Sequence, residues 1–370
     1  MANDLSTPLT GRKRRAGAAR PGFPVARVLF GVLLLAAGGI GARLLLVDDP
    51  EGGRPSREVA ITNTRAGNDI ASSVSQGPVT ITADPEQFAA GAAPPASPTP
   101  ATAAAPGAAG VLPDLSEETA EGPIPRISAT GQTPFQAYAR PVDHALVGGK
   151  PRIALVVTGL GINEQGSLQA IEQLPDAVTL GFAPYGKTLQ STVAAARAAG
   201  HEVLLEIPLE PFDFPQNDPG PHTLLTGETT QSNLDRLFWL MARFGGYAGV
   251  LNNMGARFTA SGADFAPVVE ELGARGLGYL DDGSSNRSLA PQLAGSNKVP
   301  FARADLLVDA NPAQAAILSA LGSLEAKAVE NGSAIGIVSA LPISVSTIAQ
   351  WASELESRGV VLVPATALMK

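Results

Sequence analysis

The stretch Pro151–Gly161, PRIALVVTGLG, decides how the second half of this chain folds. Its apolar run Ile153–Val157 is unbroken and leads into a glycine-punctuated turn. A run of that kind suits a strand covered on both faces, whereas a half-solvated strand would alternate apolar and polar residues. Behind the turn, Asn163–Leu174 changes to helical spacing. The same alternation then repeats to the end of the chain. Predicted strands fall at Val178–Phe182, His201–Ile207, Tyr247–Leu251, Leu277–Leu280, Leu306–Val308, Ala334–Val338 and Val360–Val363. Predicted helices fall between them at Lys187–Ala199, Thr230–Phe244, Ala263–Arg275, Pro312–Asn331 and Ser344–Arg358. Strand–helix alternation of this regularity calls for an α/β fold with parallel strands, and so many strands in residues 150–370 favour a barrel. In such folds the loops after the strand C-termini carry the site.

Composition narrows the chemistry. The 370 residues contain no cysteine, so disulfides, thiolate nucleophiles and thiolate metal ligands are excluded. The net charge of −8 argues against nucleic acid as a partner, because phosphate contacts need clustered Lys and Arg. The three histidines, His144, His201 and His222, restrict any metal-based or general-base proposal.

Ahead of the domain the pattern is different. Residues 1–27 form a basic segment, and residues 28–47 are apolar apart from Arg43. At 1.5 Å per residue such a segment spans a hydrocarbon core of roughly 30 Å. The cations lie before it and Asp48, Asp49 and Glu51 after it, which by the positive-inside rule leaves the N-terminus cytoplasmic. The expectation is a single transmembrane signal anchor in a bacterial inner membrane, with the domain in the periplasm; a cleaved signal peptide is the alternative. Residues 48–149, rich in Ala, Pro, Thr, Gly and Ser, read as a disordered linker. Within it, Pro134–Val147 is a candidate for packing on the domain.

If the strands are parallel, their C-terminal ends bring Thr158, Glu206, Glu210, Asp213, Asn252, Asn253, Arg257, Asp281, Asp282 and Ser339 to one mouth. Carboxylates, amides and a guanidinium together suit a polyhydroxylated ligand. Glu206, Asp281 and Asp282 are the candidate catalytic residues; Thr158, Glu210, Asn252, Asn253, Arg257 and Ser339 are the candidate substrate-binding residues. Phe212 and Phe214 offer a sugar-stacking face, while Trp239 and Trp351 have the spacing of helical core residues. The run DDGSS around Asp281-Asp282 is equally good turn chemistry. His201 begins a strand and so faces the wrong end, and His222 lies on the long loop Leu209–Gly227.

The segments PRIALVVTGLG, VTLGFAPYGK, EPFDFPQNDPGPHTLLTG, GVLNNMGARFTA, GLGYLDDGSS, AIGIVSALPIS and RGVVLVPATAL occur in the order seen in the divergent polysaccharide deacetylases. The resemblance covers nearly all of Pro151–Lys370. It implies a distorted (β/α) barrel of about seven strands, an envelope glycan as partner, and a divalent metal whose Asp and His ligands activate water. The ligand positions are substituted, however. Thr158-Gly159 stands where the family usually has Asp-Asp, and Asn253, Glu206 and Ser339 stand where it has His. No metal ligand is assigned. Two functions remain open: a rearranged carbohydrate deacetylase, and a non-catalytic glycan- or partner-binding pseudoenzyme.

Overall fold

The computed structural model describes residues 111–142 and 147–370. The expected transmembrane segment, residues 28–47, lies outside the described residues, as does the linker up to residue 110. Among the described residues no helix is long and apolar enough to cross a membrane.

From Val111 the chain makes a short 3-10 turn, Pro113–Leu115, and an antiparallel hairpin of β1 (Ser116–Thr119) and β2 (Gly122–Pro125). A short helix, α1 (Pro134–Tyr138), follows. It is fixed by a capping box in which the Thr133 hydroxyl accepts from Gln136 N–H and the Gln136 side chain accepts from Thr133 N–H. Then come β3 (Arg152–Leu160), α2 (Glu164–Gln173), β4 (Thr179–Phe182), α3 (Leu189–Ala198), β5 (Val203–Leu209) and α4 (Thr230–Met241). They are followed by β6 (Gly249–Met254), α5 (Gly262–Ala274), β7 (Gly278–Asp281), α6 (Ala290–Asn297) and β8 (Phe301–Arg303). The chain finishes with β9 (Leu306–Leu307), α7 (Gln314–Asn331), β10 (Ser333–Ser339), α8 (Pro342–Leu355) and β11 (Val361–Leu362). Asn163 and Thr229 cap α2 and α4 through their side-chain oxygens, each satisfying one of the free N–H groups of a first helical turn.

The main sheet has nine strands in the order β8-β7-β6-β5-β4-β3-β10-β9, with β11 alongside β3 and every pairing parallel. It is a curled half-barrel of nine strands, where the sequence led to a distorted barrel of about seven. The two end strands β8 and β9 do not pair with each other. The link Ala304-Asp305 bridges the gap instead, Ala304 N–H donating to Asp281 O and Asp305 N–H to Ile335 O, both at 2.8 Å. The pattern missed β8 and α6 because a three-residue strand and the sequence APQLAGSN leave too few positions for a period to register.

Strand alternation divides the core in two. Ile153, Leu155 and Val157 face outward with Val203, Leu205, Val250 and Tyr279, packed against the helices. Ala154 and Val156 face inward with Leu204, Leu251, Leu280 and Ile337, filling the half-barrel. The end where the strands begin is plugged by Phe135, Val142 and the C-terminal residues Val363, Ala365 and Met369.

The boundary expected at residue 150 is corrected by the hairpin and α1. Residues 111–142 are part of the folded body, because three of their large apolar side chains, Leu115, Ile124 and Tyr138, are buried against it. Leu115 and Tyr138 pack on Ala248, and Ile124 joins the outer core. Arg275 holds the arm through Glu117 at 2.8 Å and the Pro125 carbonyl at 2.7 Å. Removing residues 1–149 strips three large buried side chains, each worth about 1.5–3 kcal/mol. A chain beginning at Lys150 is expected to melt on the order of 10 °C below one beginning at Val111. Coincident thermal transitions would show the arm to be a passenger.

Candidate functional site

Where the strands end, the half-barrel opens into a cleft of about 550 Å³. Its floor follows from strand alternation. Two residues beyond the inward core positions Val156, Leu204, Leu251, Leu280 and Ile337 stand Thr158, Glu206, Asn253, Asp282 and Ser339. All five line the cleft. Thr158 and Ser339 are direct partners in the β3–β10 register. On β4 the equivalent inward position is Gly181, and a side chain there would meet Glu206 Oε1 at 3.2 Å, so the glycine makes room for the glutamate.

Glu206 is the most constrained of these residues. It is 4 % exposed. Its Oε1 accepts from Gly159 N–H at 2.5 Å, and Oε2, which receives no hydrogen bond from the described residues, is reached by solvent from the cleft. That one bond depends on a bulge: β3 slips register against β4 between Val157 and Leu160, and Gly159 adopts φ +81°, conformational freedom that Gly supplies without strain. Burial pushes the Glu206 carboxyl up to about 7, against the Gly159 N–H, which pulls it down. Burial likewise raises Asp282, against the Ser284 and Asn252 groups that hydrogen-bond to it, and the charge of Asp281 raises it further.

The other sequence candidates separate into lining and scaffold. Asn252 touches the cleft, but its side chain is spent on structure: Oδ1 accepts from Tyr279 O–H and Asp282 N–H at 3.0 Å, and Nδ2 donates to Met254 O at 2.6 Å. Asp281, a catalytic candidate from the sequence, does not line the cleft. It has the outward parity, is buried, and accepts from Gly283 N–H at 2.8 Å and Ser288 O–H at 2.5 Å. Glu210 and Arg257, substrate-binding candidates from the sequence, also lie outside the cleft lining. Glu210 Oε2 accepts from Thr226 N–H and O–H at 2.6 and 2.7 Å, while Oε1 pairs with Arg257 at 3.1 Å, locking the long loop to the segment after β6.

The aromatic and histidine expectations resolve in the same way. His201 is buried with its ring nitrogens 2.9 and 3.2 Å from the Val178 and Ile171 carbonyls, at the strand-start end as expected. His222 stacks on Trp239 at 3.7 Å and lines no part of the cleft. Trp351 is buried and Trp239 packs against the outer core. Phe212 is exposed but is not a lining residue.

Two residues went unnoticed in the sequence. Asp309, buried after β9, accepts from Ser339 N–H at 2.9 Å and Ser344 O–H at 2.7 Å and so fixes the Ser339 corner. Asp305 lines the cleft beside its ion pair with Lys327 at 2.9 Å. Each follows closely on a short strand, which was the available signal.

The metal that the family resemblance implies does not fit this donor set. Among the described residues no three His, Cys, Asp or Glu side chains come together to hold an ion. Glu206 and Asp282 each have one oxygen committed to a backbone N–H, and Asp305 is ion-paired. A divalent cation needs a fuller set of oxygen or nitrogen ligands than remains.

The fold is thus a parallel α/β half-barrel with a polar cleft at its strand ends. The chain belongs to the divergent polysaccharide deacetylase family, whose family model matches residues 155–369. It is 23% identical over 219 residues to the uncharacterized protein YibQ of Escherichia coli K12, covering 59% of this chain and 67% of that one. It is also similar to the crystal structure of the uncharacterized protein ATU2773 from Agrobacterium tumefaciens C58. There the identity is 44% and the TM-score 0.64, covering 66% of this chain and 98% of that chain.

Two substitutions test the division between lining and scaffold. The Glu206 carboxyl is raised from 4.5 to about 7 in the fold. Its stability penalty is therefore absent below about pH 4.5, grows between there and pH 7, and is complete above, at about 3 kcal/mol. Glu206→Gln keeps the acceptor for Gly159 and removes the charge, so it is expected to raise the melting temperature above pH 7 and leave it unchanged at pH 4.5. A difference independent of pH would refute the assignment. Glu210→Ala is expected to cost about 3 kcal/mol by orphaning Arg257 and the Thr226 N–H, measured by denaturant unfolding.

Proposed function

We propose that this protein is a glycan-binding member of its family, holding a cell-envelope carbohydrate in the half-barrel cleft without metal-dependent hydrolysis. The observation that carries the reading is the cleft floor. Thr158, Asn253, Asp282 and Ser339 line it with Glu206 as short polar side chains, in a space sized for a sugar residue or two, and among the described residues no three His, Asp or Glu come together to hold a metal. The family description as polysaccharide deacetylase supports a carbohydrate ligand. In this proposal residues 28–47 anchor the chain in a bacterial inner membrane and the preceding residues stay in the cytoplasm. The domain then faces the periplasm, where envelope glycan is accessible.

A second reading, turnover without metal, is favoured by one observation. A carboxyl poised at about 7 is suited to proton transfer near neutral pH, and Glu206 is such a group. Acetate release from acetylated glycan that disappears in Glu206→Gln and persists in chelator would establish that reading.

The binding reading is tested by titrating the full-length protein with soluble peptidoglycan strands and chitin-type oligosaccharides. Asn253→Ala and Ser339→Ala are each expected to weaken binding about tenfold, the loss of one or two hydrogen bonds. The melting temperature should change little, because the only scaffold bond of either side chain to a described residue is the long one, 3.4 Å, from the Ser339 hydroxyl to Asp309 Oδ1. Unaltered affinity in both variants would remove the cleft from the binding site.

A further inference from the structure

The cleft has a charge imbalance. Three carboxylates line it, Glu206, Asp282 and Asp305, and no Lys, Arg or His among the described residues does. Asp305 is already compensated: Lys327 Nζ lies 2.9 Å from one oxygen, and Ile335 N–H donates to the other at 2.8 Å. Asp282 has one oxygen on the Ser284 N–H at 2.8 Å. Glu206 stands apart from both. It is more than nine-tenths buried, forms no ion pair with a described residue, and its unbonded Oε2 belongs to a side chain lining the open space.

A second buried glutamate, Glu202 just before β5, shows what a purely structural carboxylate looks like here. Glu202 accepts from Thr179 O–H at 3.0 Å, Thr366 N–H at 3.1 Å, Arg140 N–H at 3.2 Å and the Thr366 hydroxyl. Four donors from three separate segments satisfy it. Glu206 has one. Burying a carboxylate without a counter-charge is unfavourable, and Gly181 keeps clear the space that a larger residue would use to cover it. The group that completes such a site is a compact cation with several hydrogen-bond donors, which a primary ammonium provides and a neutral amide does not. The hydroxyl and amide groups of Thr158, Ser339 and Asn253 nearby supply partners for ring hydroxyls.

We propose that the cleft recognises an amino sugar with a free, protonated nitrogen, its ammonium seated on Glu206 and Asp282, in preference to the N-acetylated sugar. This rests on the glycan-binding reading and specifies which glycan is bound. Acetylation replaces a charged group carrying three N–H donors by a neutral one carrying a single N–H, and leaves the buried carboxylate uncompensated. The site is thereby selective for glycan from which acetyl groups have already been removed.

The test uses the full-length protein and calorimetric titration at about pH 7, where Glu206 is ionised in a substantial fraction and gains further charge as an ammonium binds beside it. The probes are glucosamine tetrasaccharide, N-acetylglucosamine tetrasaccharide and Nα-acetyl-lysine amide. The free-amine tetramer is expected to bind about tenfold or more tightly than the acetylated one, the worth of a charge-assisted hydrogen bond over a neutral one. Glu206→Gln is expected to abolish that preference while keeping weak binding of both tetramers, and Asp282→Asn to reduce it. Equal affinity, or preference for the acetylated tetramer, overturns the ammonium assignment and leaves the glycan reading intact. Binding of neither tetramer overturns both. Lysine amide binding as tightly as the free-amine tetramer overturns the amino-sugar assignment in favour of a peptide amine. Thermal melts of the variants confirm that a lost preference is not a lost fold.

Discussion

Along any strand, side chains point alternately to the two faces of the sheet, and in a curled parallel sheet the inner face has room for one side chain per strand at each level. The organisation of this molecule depends on that constraint. At the closed end the inner positions include Thr179 and Glu202, tied to the C-terminal residues Ala365 and Thr366. The next level is apolar, with Val156, Leu204, Leu251, Leu280 and Ile337. One step further are Thr158, Gly181, Glu206, Asn253, Asp282 and Ser339. A one-residue slip in any strand would exchange site for scaffold, which is why Asp281 and Asp282, neighbours in sequence, do different work.

Two buried glutamates then differ only in what surrounds them. Burial raises the carboxyl of each. Glu202 is offset by hydrogen bonds from the N-terminal arm, β4 and the C-terminal turn, so its desolvation is exchanged for cohesion among distant segments. Glu206 is held by one backbone N–H that exists only because β3 bulges at Gly159. Thr158-Gly159 thus shapes the cleft twice, Thr158 through its place in the lining and Gly159 through the backbone N–H it gives to Glu206.

Much of this was legible in the residues. The unbroken run Ile153–Val157 and the alternation after it identify a parallel α/β sheet, and all eight strands expected from the pattern are present. Strand ends also located the cleft, since Thr158, Glu206, Asn253, Asp282 and Ser339 converge there. Parity read backwards from the apolar residues would have separated Asp282 from Asp281. Glu210 and Arg257 could not be separated in this way, because both lie beyond strand ends where alternation no longer applies. Their mutual ion pair is a tertiary fact. The arm at 111–142 was hidden by composition: an Ala- and Pro-rich tract reads as unstructured when its few anchors, Leu115, Ile124 and Tyr138, are too sparse to form a period. What settles its fate is complementary surface on the sheet, above all Ala248 and Arg275.

That arm also determines how the domain is gripped. Arg275 binds both Glu117 and the Pro125 carbonyl, and Arg140 reaches Asp176, Gly200 O and Glu202. The chain therefore enters through a clamp spread over the starts of several strands, well before the central strand β3 begins. Tension along the preceding chain would load these contacts, at the end of the sheet opposite the cleft, before it reached β3.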